Sequence, residues 1–180
     1  MTSLAVFMVL HLLLTLSPPL FGQGRRLVRA DESLIQIECH NAEVPSTCIQ
    51  CLTSDGRAEN ADKVGIATIV VDCLQNHANT LAGNMSSLAS GTKDRGMKNV
   101  FLKCGQGFSS AEKALSSSTL SLKNGKYENA EKFVGEALEH ELTCQKNVAS
   151  YKDQIPERVA YEMRIYEELS EAARRIFERL

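Results

Sequence analysis

Six cysteines carry most of the chemistry this sequence offers: Cys39, Cys48, Cys51, Cys73, Cys104 and Cys144. Cys48 and Cys51 have the Cys-x-x-Cys spacing of a dithiol redox site, but such sites accompany strand–helix–strand patterns and none is seen here. Cys39, His40, Cys48 and Cys51 together offer four side chains of the types that hold structural zinc. In a secreted chain the same cysteines pair as disulfides instead, so the location of the protein decides between these readings. No other group assembles into a catalytic set. His77 and His140 stand singly in helical patterns, and Glu167, Glu168 and Glu171 read as a solvated helix face. Gly105-Gln106-Gly107 is too short for a phosphate loop, and no Gly-x-Ser-x-Gly elbow occurs. With no nucleophile–base pair, neither an enzyme, nor a metal, nor a cofactor is expected.

The N-terminus indicates export. Leu4 to Leu16 is apolar apart from His11 and Thr15, and Pro18-Pro19 stop it. A dozen or so apolar residues fall short of the ~20 that span a bilayer, and fit the central region of a signal peptide. Residues 1–24 are therefore expected to be removed near Gly22 to Gly24, leaving a domain over 25–180. No later run has membrane length, so no membrane association is expected after cleavage. The 20 Lys and Arg against 22 Asp and Glu give a net charge of −2. That balance leaves no basic footprint for nucleic acid.

The elements behind these residues are helices. Val64, Ala67, Val71, Leu74, Ala78, Leu81, Met85 and Leu88 step by three and four, the spacing of one helix face. Asn60 is the expected N-cap of this helix and Ser90-Gly91 its stop. A second stripe runs from Met97 through Phe101, Cys104, Phe108, Ala111 and Leu115 to Leu122, ending at Asn124-Gly125. A third runs from Tyr127 to Tyr151 through Ala130, Val134, Ala137, Cys144 and Val148. The fourth opens on Pro156 and continues through Val159, Met163, Tyr166, Leu169, Ala173 and Ile176. This pattern predicts an all-α fold: an antiparallel up-and-down four-helix bundle over residues 60–180, preceded by a helical hairpin over 31–55.

In an antiparallel helical hairpin, residues equally far from the turn face each other. Cys104 and Cys144 centre on Asn124, in the expected turn. Cys39 and Cys48 centre between Glu43 and Val44, again in a turn. Two staples follow. Cys51 and Cys73 are not symmetric about their linker, so they form either a third disulfide or two buried thiols. Asn84-Met85-Ser86 is an N-glycosylation sequon, which makes Asn84 a candidate glycan site.

The strings Cys39-x8-Cys48 and Ile49-Gln50-Cys51-Leu52-Thr53-Ser54-Asp55 resemble the plant invertase inhibitor and pectin methylesterase inhibitor family. So do Asn124-Gly125-Lys126-Tyr127-Glu128-Asn129-Ala130 and the terminal Ile176-Phe177-Glu178-Arg179-Leu180. The resemblance covers Ile35 to Leu180. It implies a secreted four-helix bundle with an N-terminal hairpin and two disulfides, Cys39–Cys48 and Cys104–Cys144. It also implies inhibition by a one-to-one complex with acid invertase or pectin methylesterase, in the apoplast and cell wall or, alternatively, the vacuole. In the invertase branch a Pro-Lys-Phe string near the turn between the second and third bundle helices enters the enzyme's sugar site. The equivalent here is Gly125-Lys126-Tyr127, which makes Lys126 and Tyr127 the expected partner-binding residues and inclines the expectation slightly towards invertase. In the other branch a face of the bundle meets the enzyme. The alternative class is a secreted helical carrier of a small hydrophobic ligand, but the dense apolar stripes suggest a filled core.

Overall fold

The structure is a computed structural model that describes residues 30–180. The expected signal peptide lies outside the described residues. Two short helices come first, α1 (Ala30–Cys39) and α2 (Pro45–Thr53). They are followed by a 3-10 turn, Gly56–Asn60, and by α3 (Lys63–Gly91), α4 (Arg95–Lys123) and α5 (Tyr127–Val148). A second 3-10 segment, Ala149–Gln154, leads into α6 (Glu157–Phe177). Helices α3 to α6 form the antiparallel bundle and the α1–α2 hairpin packs against α3 and α6. Among the described residues no helix is long and apolar enough to cross a membrane.

Helix ends differ from expectation where a better cap exists. Asn60 sits in the 3-10 turn, and the cap of α3 is Asp62, whose carboxylate accepts from the Gly65 amide at 2.8 Å. Asp94 caps α4 in the same way through the Met97 amide at 2.7 Å. The third bundle helix ends at Val148, three residues before Tyr151, where the chain tightens into the 3-10 segment. Pro156 is the cap of α6 and its carbonyl accepts from Val159 and Ala160.

The axis of the bundle is filled. Leu74, Leu81, Phe101, Phe108, Leu115, Leu122, Tyr166, Leu169 and Ile176 are all fully or almost fully buried. Phe108 meets Tyr166 edge to face at 5.9 Å between ring centres. A ligand carrier would need that space open.

Three disulfides join the described elements: Cys39–Cys48, Cys51–Cys73 and Cys104–Cys144. The state of Cys51 and Cys73, open from sequence, is set by the linker between α2 and α3. Asp55 caps the 3-10 turn through the Arg57 amide, and the Arg57 guanidinium bridges Asp55 at 2.6 Å and Asp72 at 2.8 Å. Asp72 precedes Cys73, so the folded linker brings α2 level with that point of α3. The hairpin is further tied to α6 by Thr47, which donates to Glu168, and by the Glu43 amide, which donates to Glu171.

Candidate functional site

Lys126 and Tyr127 lie at the turn between α4 and α5, as the spacing requires. Its geometry follows from one glycine. Gly125 has φ +67°, the left-handed conformation that residues with a Cβ avoid. Its amide donates to the Leu122 carbonyl at 3.0 Å and the Lys126 amide reaches back to Ser121 at 2.9 Å. These two bonds close α4 in the Schellman arrangement, which needs a left-handed residue with a free N–H at position 125. Proline has neither property. The Pro-Lys-Phe turn therefore cannot be built at these residues without remaking the end of α4. Ser118 fixes the start of α5 from below, its buried hydroxyl donating to the Ala130 carbonyl at 2.9 Å.

The two expected partner residues separate in environment. Lys126 is exposed, and with Gly125, Glu128 and Asn129 it lines a shallow open depression. Tyr127 also borders it, but is half-buried and packs on the core. The turn thus offers a partner one exposed cation and a ring already partly engaged by its own protein.

Two surfaces that sequence reasoning missed are better formed. On α3, no Asp, Glu, Lys or Arg occurs from Cys73 to Gly91. Asn79, Thr80, Ser86 and Ser87 face solvent there. Beside it, α4 exposes Leu102, Gln106, Ser109, Lys113, Ser116 and Leu120, with Leu120 61% exposed, and Glu112 lies against Gln75, Asn76 and Asn79 at the end of the face nearer Arg57 and Asp72. Gln75 on α3 donates to Ser116 on α4 at 3.1 Å, joining the two helices into one face. Covering such a face strips few charges of water and freezes few long side chains. The signal was available: an outward helix face without charges is unusual for a solvated surface. The second surface is a groove between α2, α3 and α6. Tyr161 stands exposed on its rim under the Arg164 guanidinium, 5.1 Å from the ring centre. His77, on its wall, contacts Glu162 at 2.7 Å.

A family model described as plant invertase/pectin methylesterase inhibitor matches residues 33–176. The chain belongs to that family. It is 27% identical over 143 residues to a pectinesterase inhibitor of Actinidia deliciosa, covering 79% of this chain and 76% of the relative. It is 28% identical over 117 residues to a cell wall/vacuolar inhibitor of fructosidase of Arabidopsis thaliana, covering 63% of each. In fold it is similar to the crystal structure of a mutant form of an Arabidopsis pectin methylesterase inhibitor. There the TM-score is 0.71 at 21% identity, with 81% of this chain and 96% of the other covered.

The remaining candidates resolve simply. Within the family fold, His40 is exposed at the hairpin turn and His140 packs over Gly107. Among the described residues no cluster of three or more His, Cys, Asp or Glu is arranged to hold a metal ion. Asn84 is half-buried on α3, and its amide nitrogen, the atom a glycan would be attached to, is fully buried without a hydrogen-bond partner. A glycan there would need the side chain turned out of the helix interface. Treatment of the secreted protein with an N-glycosidase is accordingly expected to leave its mass unchanged. A mass loss of one glycan would show that Asn84 is modified before the helix packs.

Proposed function

We propose that this protein is a secreted inhibitor, released from a signal peptide over residues 1–24, that binds pectin methylesterase one to one in the cell wall and blocks it. The broader reading, a binder and not a catalyst acting on a plant cell-wall carbohydrate-active enzyme, is supported by the family match along the whole bundle. The observation that favours pectin methylesterase is the Gly125 turn. It departs from the Pro-Lys-Phe string in the backbone itself, while the α3–α4 face, sparse in charge, suits docking by a side of the bundle. Relatives named pectinesterase inhibitors point the same way.

Acid invertase is the second reading, carried by the exposed Lys126, whose ammonium is free to reach the carboxylates of a sugar-cleaving site. The two readings separate by experiment. The oxidised protein is assayed against purified pectin methylesterase and acid invertase side by side at mildly acidic pH. Ser109→Arg, placing a long charge on the α4 face, is expected to weaken inhibition of pectin methylesterase by about tenfold or more. Lys126→Ala is expected to change it by less than about threefold, as a rim charge would. Inhibition of invertase alone, abolished by Lys126→Ala and untouched by Ser109→Arg, would replace this reading with the second.

A further inference from the structure

The apolar stripe of α5 has one member that is not apolar. Val134, Ala137, Cys144 and Val148 keep the three–four step only if position 141 belongs to the stripe, and position 141 is glutamate. The structure places Glu141 in the core at 0% exposure. One carboxylate oxygen accepts from the Gln145 amide, whose nitrogen also donates to Glu167 on α6 at 3.0 Å. The other oxygen is buried with no hydrogen-bond partner, and so is the hydroxyl of Tyr166.

Among the described residues no cation pairs with this carboxylate. From α6 the titratable groups are Tyr166 and Glu167. The nearby Arg164 is instead engaged with Glu168 and Tyr161. From α4 the layer is Cys104, held in its disulfide, and Phe108 against Tyr166. His140, next in the chain, packs over Gly107. Lys152, from the 3-10 segment, lines a surface groove of about 260 Å³. Gln145, Glu167 and Arg164 line the same groove, so it leads from solvent to Gln145, the side chain bonded to Glu141, and to Glu167 beyond it.

We propose that Glu141, with Gln145, Tyr166 and Glu167, is a pH-responsive lock on the α5–α6 seam. Protonated, Glu141 sits in the core as a neutral group; ionised, it draws water through the groove and loosens the seam. Burial pushes the Glu141 carboxyl up to about 7, against the Gln145 hydrogen bond, and the Glu167 charge adds to the rise. A carboxyl raised on folding favours the folded state while it holds its proton. That stability is whole below the unfolded value of 4.5 and is lost as pH rises through about 7. The fold is thereby matched to mildly acidic surroundings, whichever enzyme it binds.

The test is denaturant unfolding of the disulfide-intact wild type and Glu141→Gln at several values between pH 4 and pH 8. Glutamine keeps the shape and removes the titration. A shift from 4.5 to about 7 corresponds to about a 300-fold change in the ratio of the two unfolding constants across that range. A change of tenfold or more, with the variant gaining as pH rises, supports the lock; a smaller one overturns it. Carboxyl-carbon NMR of the wild type gives an independent reading should the variant fail to fold. A Glu141 midpoint above pH 6 supports the proposal and one below it overturns it.

Discussion

Arg179→Ala is expected to lower stability by about 3 kcal/mol and to free the N-terminal hairpin from the end of the bundle. The reason is Glu38. Its side chain is 1% exposed on α1, and the described structure satisfies it through Arg179, near the other end of the chain. The guanidinium donates to Glu38 Oε2 at 3.1 and 2.8 Å and to the Glu38 backbone carbonyl at 2.6 Å. Lys63 stands 3.8 Å from Oε1, beyond hydrogen-bond reach, and Oε1 has no hydrogen bond. Removing the arginine takes every side-chain hydrogen bond from the buried carboxylate, leaving it only the Lys63 ammonium at 3.8 Å, and takes the same donor from the Glu38 carbonyl. Losing one partner of a buried pair costs roughly 3–5 kcal/mol, and the lower end applies because Arg179 is itself 25% exposed and water can enter.

The double variant tells the stranded charge from lost packing. Glu38→Leu with Arg179→Leu removes both charges and should recover most of the loss, since apolar replacement of a buried pair is often neutral or better. Urea unfolding at fixed pH measures both. A loss below about 0.5 kcal/mol for Arg179→Ala, the range of ordinary surface changes, would show that solvent satisfies Glu38 unaided.

Nothing in the local sequence marks Glu38 as buried. It follows Ile37, which is exposed, and its partner lies 141 residues away. Burial of this kind is a property of the assembled fold. The four bundle helices were legible because a three–four stripe must be covered by something, and the Cys104–Cys144 and Cys39–Cys48 staples follow from hairpin symmetry. Symmetry fails for Cys51–Cys73 because its linker is no tight turn but a 3-10 turn with its own cap and the Arg57 bridge. The site was only half legible. The resemblance at positions 125–127 implied a partner-binding string, but the left-handed backbone at Gly125, which a proline could not adopt, is visible only in the fold. Glu141 was readable in principle, as the missing step of its own stripe.

The pair Cys104→Ala and Cys144→Ala is expected to cost more than loss of either other bridge, by a margin that chain statistics set. The bond closes a sequence separation of 40, against 22 for Cys51–Cys73 and 9 for Cys39–Cys48. On the chain-entropy account the largest loop is worth about 4 kcal/mol and the smallest about 2.7 kcal/mol. Alanine keeps the site apolar, as both sulfurs are almost fully buried, so the loss is chiefly that of the crosslink. The position adds a second consequence. The bond holds α4 to α5 far from their turn, while Ser118 and the Schellman bonds hold them near it. The α4 face should therefore keep its shape in the reduced-crosslink variant wherever it remains folded. Inhibition measured well below its melting temperature should stay within about threefold of wild type, while the melting temperature falls by about 8 °C or more. Loss of inhibition from a variant still folded would mean that the bridge sets the geometry of the proposed docking face and does more than staple it.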